Sequence, residues 1–237
     1  MHTIGVIAAI ETEAAPLIRS LKNRCRGRTG AFDLVSGDIG DKSVSVVVSG
    51  VGGRAAADAA GALIGGNSLD LIVSIGFAGG LVPDFPQGTI VVSHEVAGEA
   101  GDRAAFPTLD GFVVPPPGKG GVVVTSSRFV YATKHKRDLA ERLGAVAVDM
   151  ESLYVGRVAQ EAGVPFLVVR VISDDLSHEL PVFGSFFTKE GRLDLTRAIP
   201  YFLRHPGTLI PLVRFMGGLV RHAATLDRYL RRLIAGL

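Results

Sequence analysis

The runs LIVSI (71–75), AVAV (145–148) and FLVVRVI (166–172) are apolar almost without interruption. A strand with one face in water alternates polar and apolar residues, whereas a strand covered on both faces does not. Strand-like runs at 3–9, 43–50, 69–76, 88–96, 121–125, 145–149 and 166–173 are separated by helical patterning at 11–23, 51–66, 127–143 and 152–163. Such alternation predicts an α/β sandwich on a mostly parallel sheet. The 237 residues can bury a sizeable core. No internal repeat and no linker precede residue 180, and VVPPPGKGG (113–121) is too short to separate domains. One domain over 1–237 is expected.

The last quarter reads differently. Residues 176–193 are irregular and 194–237 carry helical patterning. The net charge of +2 is uneven: residues 1–188 hold 16 Lys/Arg against 20 Asp/Glu, and residues 189–237 hold nine against three. From Leu209 the apolar positions form one helical stripe, with Arg214, Arg221 and Arg228 recurring every seven residues beside Arg231 and Arg232. Such a tail can dock on the core, on a second subunit, or at an anionic membrane surface.

Cys25 is the only cysteine, which leaves no disulfide framework and no thiolate metal cluster and suits a reducing cytoplasm. The opening MHTIGVIAAIETE has seven apolar residues followed by acids, a first strand rather than a leader. No stretch approaches the roughly 20 apolar residues of a spanning helix. The expected place is the cytoplasm, with peripheral contact at the inner face of the membrane if the tail docks there.

VDMES (148–152) sets two acids where a buried strand emerges. Acids are rarely buried unless paired or at work. Glu11-Thr12-Glu13 closes the first strand and Ser173-Asp174-Asp175 closes the last. Ligands of open α/β sheets sit outside the carboxyl ends of strands. Glu13, Glu151 and Asp174 therefore converge on one edge, and Arg170, charged among Val and Ile, needs a partner. Either Glu11 or Glu13 could serve only the helix N-terminus, and Ser173-Asp174-Asp175 could be a turn.

Two glycine stretches are ambiguous. Gly50-Val51-Gly52-Gly53-Arg54-Ala55 fits G-x-G-x-x-A, but the next acid, Asp70, begins its strand instead of ending it. A tight turn with close helix–sheet packing is the better reading. In Gly76-Phe77-Ala78-Gly79-Gly80, backbone N–H groups can approach a ligand, or the glycines simply relieve a crowded turn.

Five stretches together resemble the nucleoside phosphorylase and nucleosidase superfamily, close to the methylthioadenosine/adenosylhomocysteine nucleosidases: IGVIAAIETEAAPL, SGVGGRAAADAAGALI, DLIVSIGFAGGLVPDFPQGTIVVSHEV, SSRF and AVAVDMESLYVGRVAQEAGVPFLVVRVISDD. The resemblance implies a three-layer α/β/α sandwich with a mixed, mostly parallel central sheet. It implies cleavage of a purine N-ribosidic bond, without cofactor or metal, in a homodimer or larger oligomer. The partner it implies is a small purine nucleoside and not a nucleic acid. By the same resemblance Glu151 holds the ribose hydroxyls over Met150, Asp174 protonates the leaving adenine at N7, and Ser173 orients Asp174. Phe129 stacks on the base beside the Val130 backbone, and Glu13 activates water with Arg170 nearby. Phe77, Ala78 and Gly79 line the substrate.

One feature sets this chain apart from true phosphorylases, and two set it apart from the close nucleosidase relatives. AIETEA lacks the arginine-bearing phosphate loop of true phosphorylases, which favours water, although Arg54 and the 76–80 glycines offer phosphate an alternative seat as co-substrate. Phe77 replaces a small hydroxyl residue. The segment that closes over the 5′ substituent is shortened to VAGEAGDRAAFPTLDGFVVPPP. The shortened middle and the tail DLTRAIPYFLRHPGTLIPLVRF resemble a hopanoid-associated subgroup, which implies a lipid-linked substrate, adenosylhopane. The rivals are a phosphate-dependent purine nucleoside phosphorylase, a methylthioadenosine/adenosylhomocysteine nucleosidase, and a non-catalytic relative expected to have lost some of the three acids.

Overall fold

The computed structural model describes residues 2–176 and 209–237, and side chains in its last helix from residue 217. The continuous apolar runs do form strands covered on both sides. Strands β1 (Thr3–Ala8), β4 (Lys42–Val48), β5 (Leu71–Gly80) and β12 (Phe166–Asp174) lie side by side in parallel, with β1 between β4 and β5 and β5 between β1 and β12. Helices α1 (Glu11–Ser20) and α5 (Leu209–Ala235) cover one face of the sheet. Helices α2 (Gly53–Gly66) and α4 (Ser152–Glu161) cover the other. Alternate residues of a strand feed the two cores, Val6 into the first and Ile7 into the second. The sandwich is three-layered.

The sheet is mixed. Strands β2 (Lys22–Thr29) and β3 (Phe32–Ile39) form an antiparallel hairpin beside β4. Their patterning hid them: β2, KNRCRGRT, is polar and exposed along nearly all its length. The run 88–96 is two strands, β6 (Ile90–Ser93) and β7 (Glu95–Gly98). The Ser93 hydroxyl donates to the Glu95 carbonyl and accepts from the Glu95 N–H, turning the chain from β12 towards a new partner. That partner is β10 (Val122–Thr125), which also runs parallel to β11 (Ala145–Asp149). Strand β8 (Arg103–Ala105) pairs β7, and the short β9 (Lys119–Gly120) pairs β6. Helix α3 (Thr133–Leu143) starts six residues later than its patterning predicts, because 127–132 is loop.

Two irregularities shape the far end of the sheet. Strand β5 runs on through Gly79 and Gly80, where it pairs antiparallel with β11, so the 76–80 glycines lie in a strand and not in a turn. The β12–β5 register slips between Ile172 and Asp174, which pairs Asp174 with Gly79. A bulge of this kind re-aims the side chains beside it.

The expectation of irregular chain lies outside the described residues from 177 to 193, as does the first stretch, 194–208, of the helix expected from 194; the rest of that helix is present as α5. Within α5, Ala223, Leu226, Tyr229, Leu230, Leu233 and Ile234 are buried in the core, while Arg221, Arg228, Arg231 and Arg232 are exposed. From residue 223 the apolar stripe is core packing, so it presents no free apolar face to a bilayer. No helix among the described residues is long and apolar enough to cross a membrane. Leu230→Ala should destabilise the protein by about 2–5 kcal/mol. Arg228→Ala should change stability by less than about 0.5 kcal/mol. Thermal denaturation of both variants checks this, since a stripe reserved for a membrane would leave Leu230→Ala near neutral.

Candidate active site

Carboxylates gather where β1, β5, β11 and β12 end. Glu13 stands in the first turn of α1 and is buried despite its charge. Its Oε2 accepts the Ala9 N–H at 3.0 Å and the Ile10 N–H at 3.1 Å, and its Oε1 accepts the Phe77 N–H at 2.8 Å. Strand β5 admits it only because residue 76 is glycine: a Cβ there would lie 2.6 Å from Glu13 Oε1. Burial raises the Glu13 pKa, opposed by these N–H donors and by Arg170. Glu11, its neighbour in the same turn, is exposed and serves only the helix end.

Glu151 caps the start of α4. Its Oε1 accepts the N–H of Gly52 at 2.8 Å. Gly52 has φ +103°, a backbone form that side chains resist, so the G-x-G-x-x-A turn aims an amide at this carboxylate. Burial, reinforced by the Asp149 charge, raises the Glu151 pKa to about 7, with Arg170 opposing.

Asp174 is 2% exposed. Its Oδ1 accepts from the Ser173 hydroxyl at 2.8 Å, and its Oδ2 pairs with the Lys136 ammonium of α3. Burial raises its pKa more than Lys136 lowers it.

Arg170 lies beneath these acids. Its Nε and Nη2 reach Asp149 Oδ2 at 2.9 and 2.7 Å, and Nη2 also donates to Ser74 and Ser152 at 2.8 and 2.9 Å. Asp149 further accepts from the Thr125 hydroxyl at 2.7 Å. Arg170 does not line the cavity, so it acts on Glu13 and Glu151 through its field.

The cavity, about 130 Å³, is lined by Glu13, Glu151, Asp174, Ser173, Met150, Phe129, Val130, Phe77, Ala78 and Gly79 among others. Of the eleven site residues that the family resemblance implies, only Arg170 stands outside it. Phe129 is 41% exposed at the mouth and Val130 is buried. Two larger clefts exist. One of about 670 Å³ lies between α1 and the β2–β3 hairpin, and one of about 520 Å³ lies beside the C-terminus. Neither gathers buried acids, so the chemistry belongs to the small one. Among the described residues no group of three or more His, Cys, Asp or Glu could hold a metal ion.

Lys136 went unnoticed in the sequence, lost in the charged run TKHKRDLAERL. The signal was its spacing. It stands three residues before buried Leu139, on the inner face of α3. The shortened middle segment also behaves unexpectedly. Phe106 packs edge-to-face on Phe166, the Tyr229 hydroxyl donates to the Pro115 carbonyl at 2.9 Å, and Leu109, Phe112 and Val114 join the core under α5. None of residues 95–121 lines the cavity.

Comparison with known proteins gives the family of this mixed α/β/α sandwich. The chain belongs to the phosphorylase superfamily, whose model matches residues 3–120 and 114–198. It is 28% identical over 214 residues to the 5′-methylthioadenosine/S-adenosylhomocysteine nucleosidase of Shewanella halifaxensis, covering 79% of this chain and 93% of that one. Its fold matches the same-named enzyme of Neisseria meningitidis, solved with methylthio-immucillin-A, at a TM-score of 0.75 with 20% identity and full coverage of both chains. A futalosine hydrolase mutant of Helicobacter pylori matches at 0.73 with 19% identity, again over both whole chains.

The raised pKa of Glu151 carries a stability consequence. A carboxyl whose pKa is higher in the fold than in the unfolded chain stabilises the fold below its ordinary value of 4.5, and that contribution is lost as pH rises through about 7. Glu151→Gln should therefore stabilise the protein by of order 1–3 kcal/mol at pH 8. The gain should vanish towards pH 5. Melting curves at the two pH values check it.

Proposed function

We propose that the protein hydrolyses the N-ribosidic bond of an adenine nucleoside. The observation that carries this reading is that three of the four buried carboxylates on one small cavity have distinct settings: backbone N–H groups hold Glu13 and Glu151, and a lysine holds Asp174. Glu151 in its ionised form accepts the ribose hydroxyls and stabilises the oxocarbenium-like sugar as the bond to the base stretches. Met150 forms an apolar floor beneath the ribose. Asp174, whose pKa burial raises, gives a proton to N7, so that adenine leaves neutral. Glu13 takes a proton from the water that attacks C1′. Phe129 stacks on the base.

Water is a better nucleophile here than phosphate. Four acids line the cavity and Arg128 is the only cation among the lining residues. Arg170 is bound to Asp149, and Arg54 is exposed and outside the lining. A phosphate dianion would enter a field of its own sign.

The 5′ group is bulky and apolar in this reading, with adenosylhopane as the substrate. Support comes from the shortened segment, which packs under α5 and leaves the cavity uncovered by residues 95–121, together with the tail's resemblance. The enzyme then works in the cytoplasm as a homo-oligomer and meets its lipid-linked substrate at the inner face of the membrane. The exposed Arg221, Arg228 and Arg232 would face anionic headgroups. A nucleosidase acting on methylthioadenosine is the second reading, favoured by the 28% identity to that enzyme.

Adenine release from adenosylhopane, methylthioadenosine and adenosine, each with and without phosphate, tests both readings. Release should be independent of phosphate and fastest from adenosylhopane. No release from any of the three, or a strict need for phosphate, overturns the proposal. Asp174→Asn should lower kcat by about 10²–10⁴-fold while adenine still binds. Glu13→Gln should abolish hydrolysis with the fold intact, as judged by its melting curve.

A further inference from the structure

Resting on the reading of Asp174 as the acid, we infer that Lys136 is a positioning residue that sets the strength of that acid. The salient contact is a buried lysine placed directly on the carboxyl that must release a proton. Lys136 is 1% exposed. Its ammonium bonds Asp174 Oδ2 and the Asp175 carbonyl, the latter at 3.2 Å. It does not line the cavity, so it cannot serve the base itself. It stands behind Asp174 against the β5 backbone, where a Cβ at Gly79 would lie 3.3 Å from Asp174 Oδ2 and 3.5 Å from Lys136 Cε.

The physical need follows from burial. A carboxyl out of water holds its proton, which is useful before the reaction and harmful during it. When Asp174 passes its proton to N7, the electron pair of the N-ribosidic bond goes to the base and Asp174 becomes a carboxylate. In a dry site that anion is costly unless a cation is already beside it. Lys136 supplies this cation. The charged-pair product is thereby stabilised in advance.

The other groups around the pair do not take this role. Ser173 offers Asp174 a neutral hydroxyl. The Asp175 carboxylate accepts the Gln87 N–H at 3.2 Å, and its negative charge opposes ionisation of Asp174. On α5, His222 feels the Asp174 charge, but burial and Arg221 hold its pKa below the ordinary value, so it is neutral at alkaline pH. His135, beside Lys136 on α3, pairs with Glu99 at 3.5 Å.

The test is the pH profile of adenine release by Lys136→Met. The expected result is a kcat 10- to 100-fold lower with KM unchanged, and an alkaline limb displaced to higher pH by at least one unit, because Asp174 then keeps its proton longer. Lys136→Arg should restore the limb. An unmoved limb in an active, folded Lys136→Met variant overturns the inference, since a merely structural lysine would lower activity without displacing it. Should Lys136→Met not fold, the Asp174→Asn, Lys136→Met double variant removes both buried charges and is compared with Asp174→Asn alone. Equal turnover supports action through Asp174, whereas a further loss of fivefold or more overturns it. Absence of adenine release by the wild-type protein would instead sink the proposed function, so the two failures are distinguishable.

Discussion

A guanidinium buried in the middle of a strand is the constraint from which the rest of the site follows. Arg170 sits between Val169 and Val171, both wholly buried. Left alone there, its charge would cost several kcal/mol. It is compensated by Asp149 at the end of β11, Ser74 in β5 and Ser152 in the first turn of α4. One side chain thus ties together three strands and a helix. Asp149 is fixed in turn by the Thr125 hydroxyl, and Thr125 accepts the Leu153 N–H, which locks the start of α4. Glu151 caps that same helix, so its position depends on the ion pair beneath it. Arg170 itself, and not Asp149, supplies the positive charge that opposes the cost of burying Glu13 and Glu151.

Placing three acids in one small cavity raises a second difficulty, which is mutual repulsion in a dry environment. The chain meets it with different counterweights. Glu13 leans on backbone amides, Glu151 on an amide from a glycine turn, and Asp174 on a full cation. Backbone amides are weak dipoles that stabilise an anion without forcing it, which suits a group that must accept a proton from water. A lysine is a strong counter-charge, which suits a group that must give its proton away. In the proposed assignment Asp174 alone is set against a full cation, while Glu13 and Glu151 both face backbone N–H groups.

Much of this was legible in the sequence. Buried strands lack alternation, so the layered architecture and the strands carrying the acids followed from the apolar runs. The convergence of Glu13, Glu151 and Asp174 followed from their places at strand ends. What escaped detection was structure without an apolar signature. The β2–β3 hairpin is paired by its backbone at the rim of the sheet, where side chains are free to be polar. Lys136 escaped because a buried lysine looks like any surface lysine until its partner is known, and Asp174 lies 38 residues away. The 76–80 glycines admit two readings in the sequence, amides facing a ligand or a crowded turn, because glycine signals conformational freedom. Here their value is space: residue 76 leaves room for a carboxylate.

The same reasoning separates chemistry from specificity. The acids stand on strands and first turns of helices whose positions are fixed by the two cores on either side of the sheet. Residues 96–117, the segment expected to close over the 5′ substituent, are anchored elsewhere, through Phe106 on Phe166 and Pro115 on Tyr229. Their attachment to the underside of α5 makes this loop part of the fold's packing. In the proposed reading the rigid strand ends would act on ribose and base, and none of residues 95–121 lines the cavity. A site arranged this way ties bond cleavage to those strand ends. What hangs from the 5′ carbon is then selected elsewhere, and a large apolar substituent would encounter no steric bar from this loop.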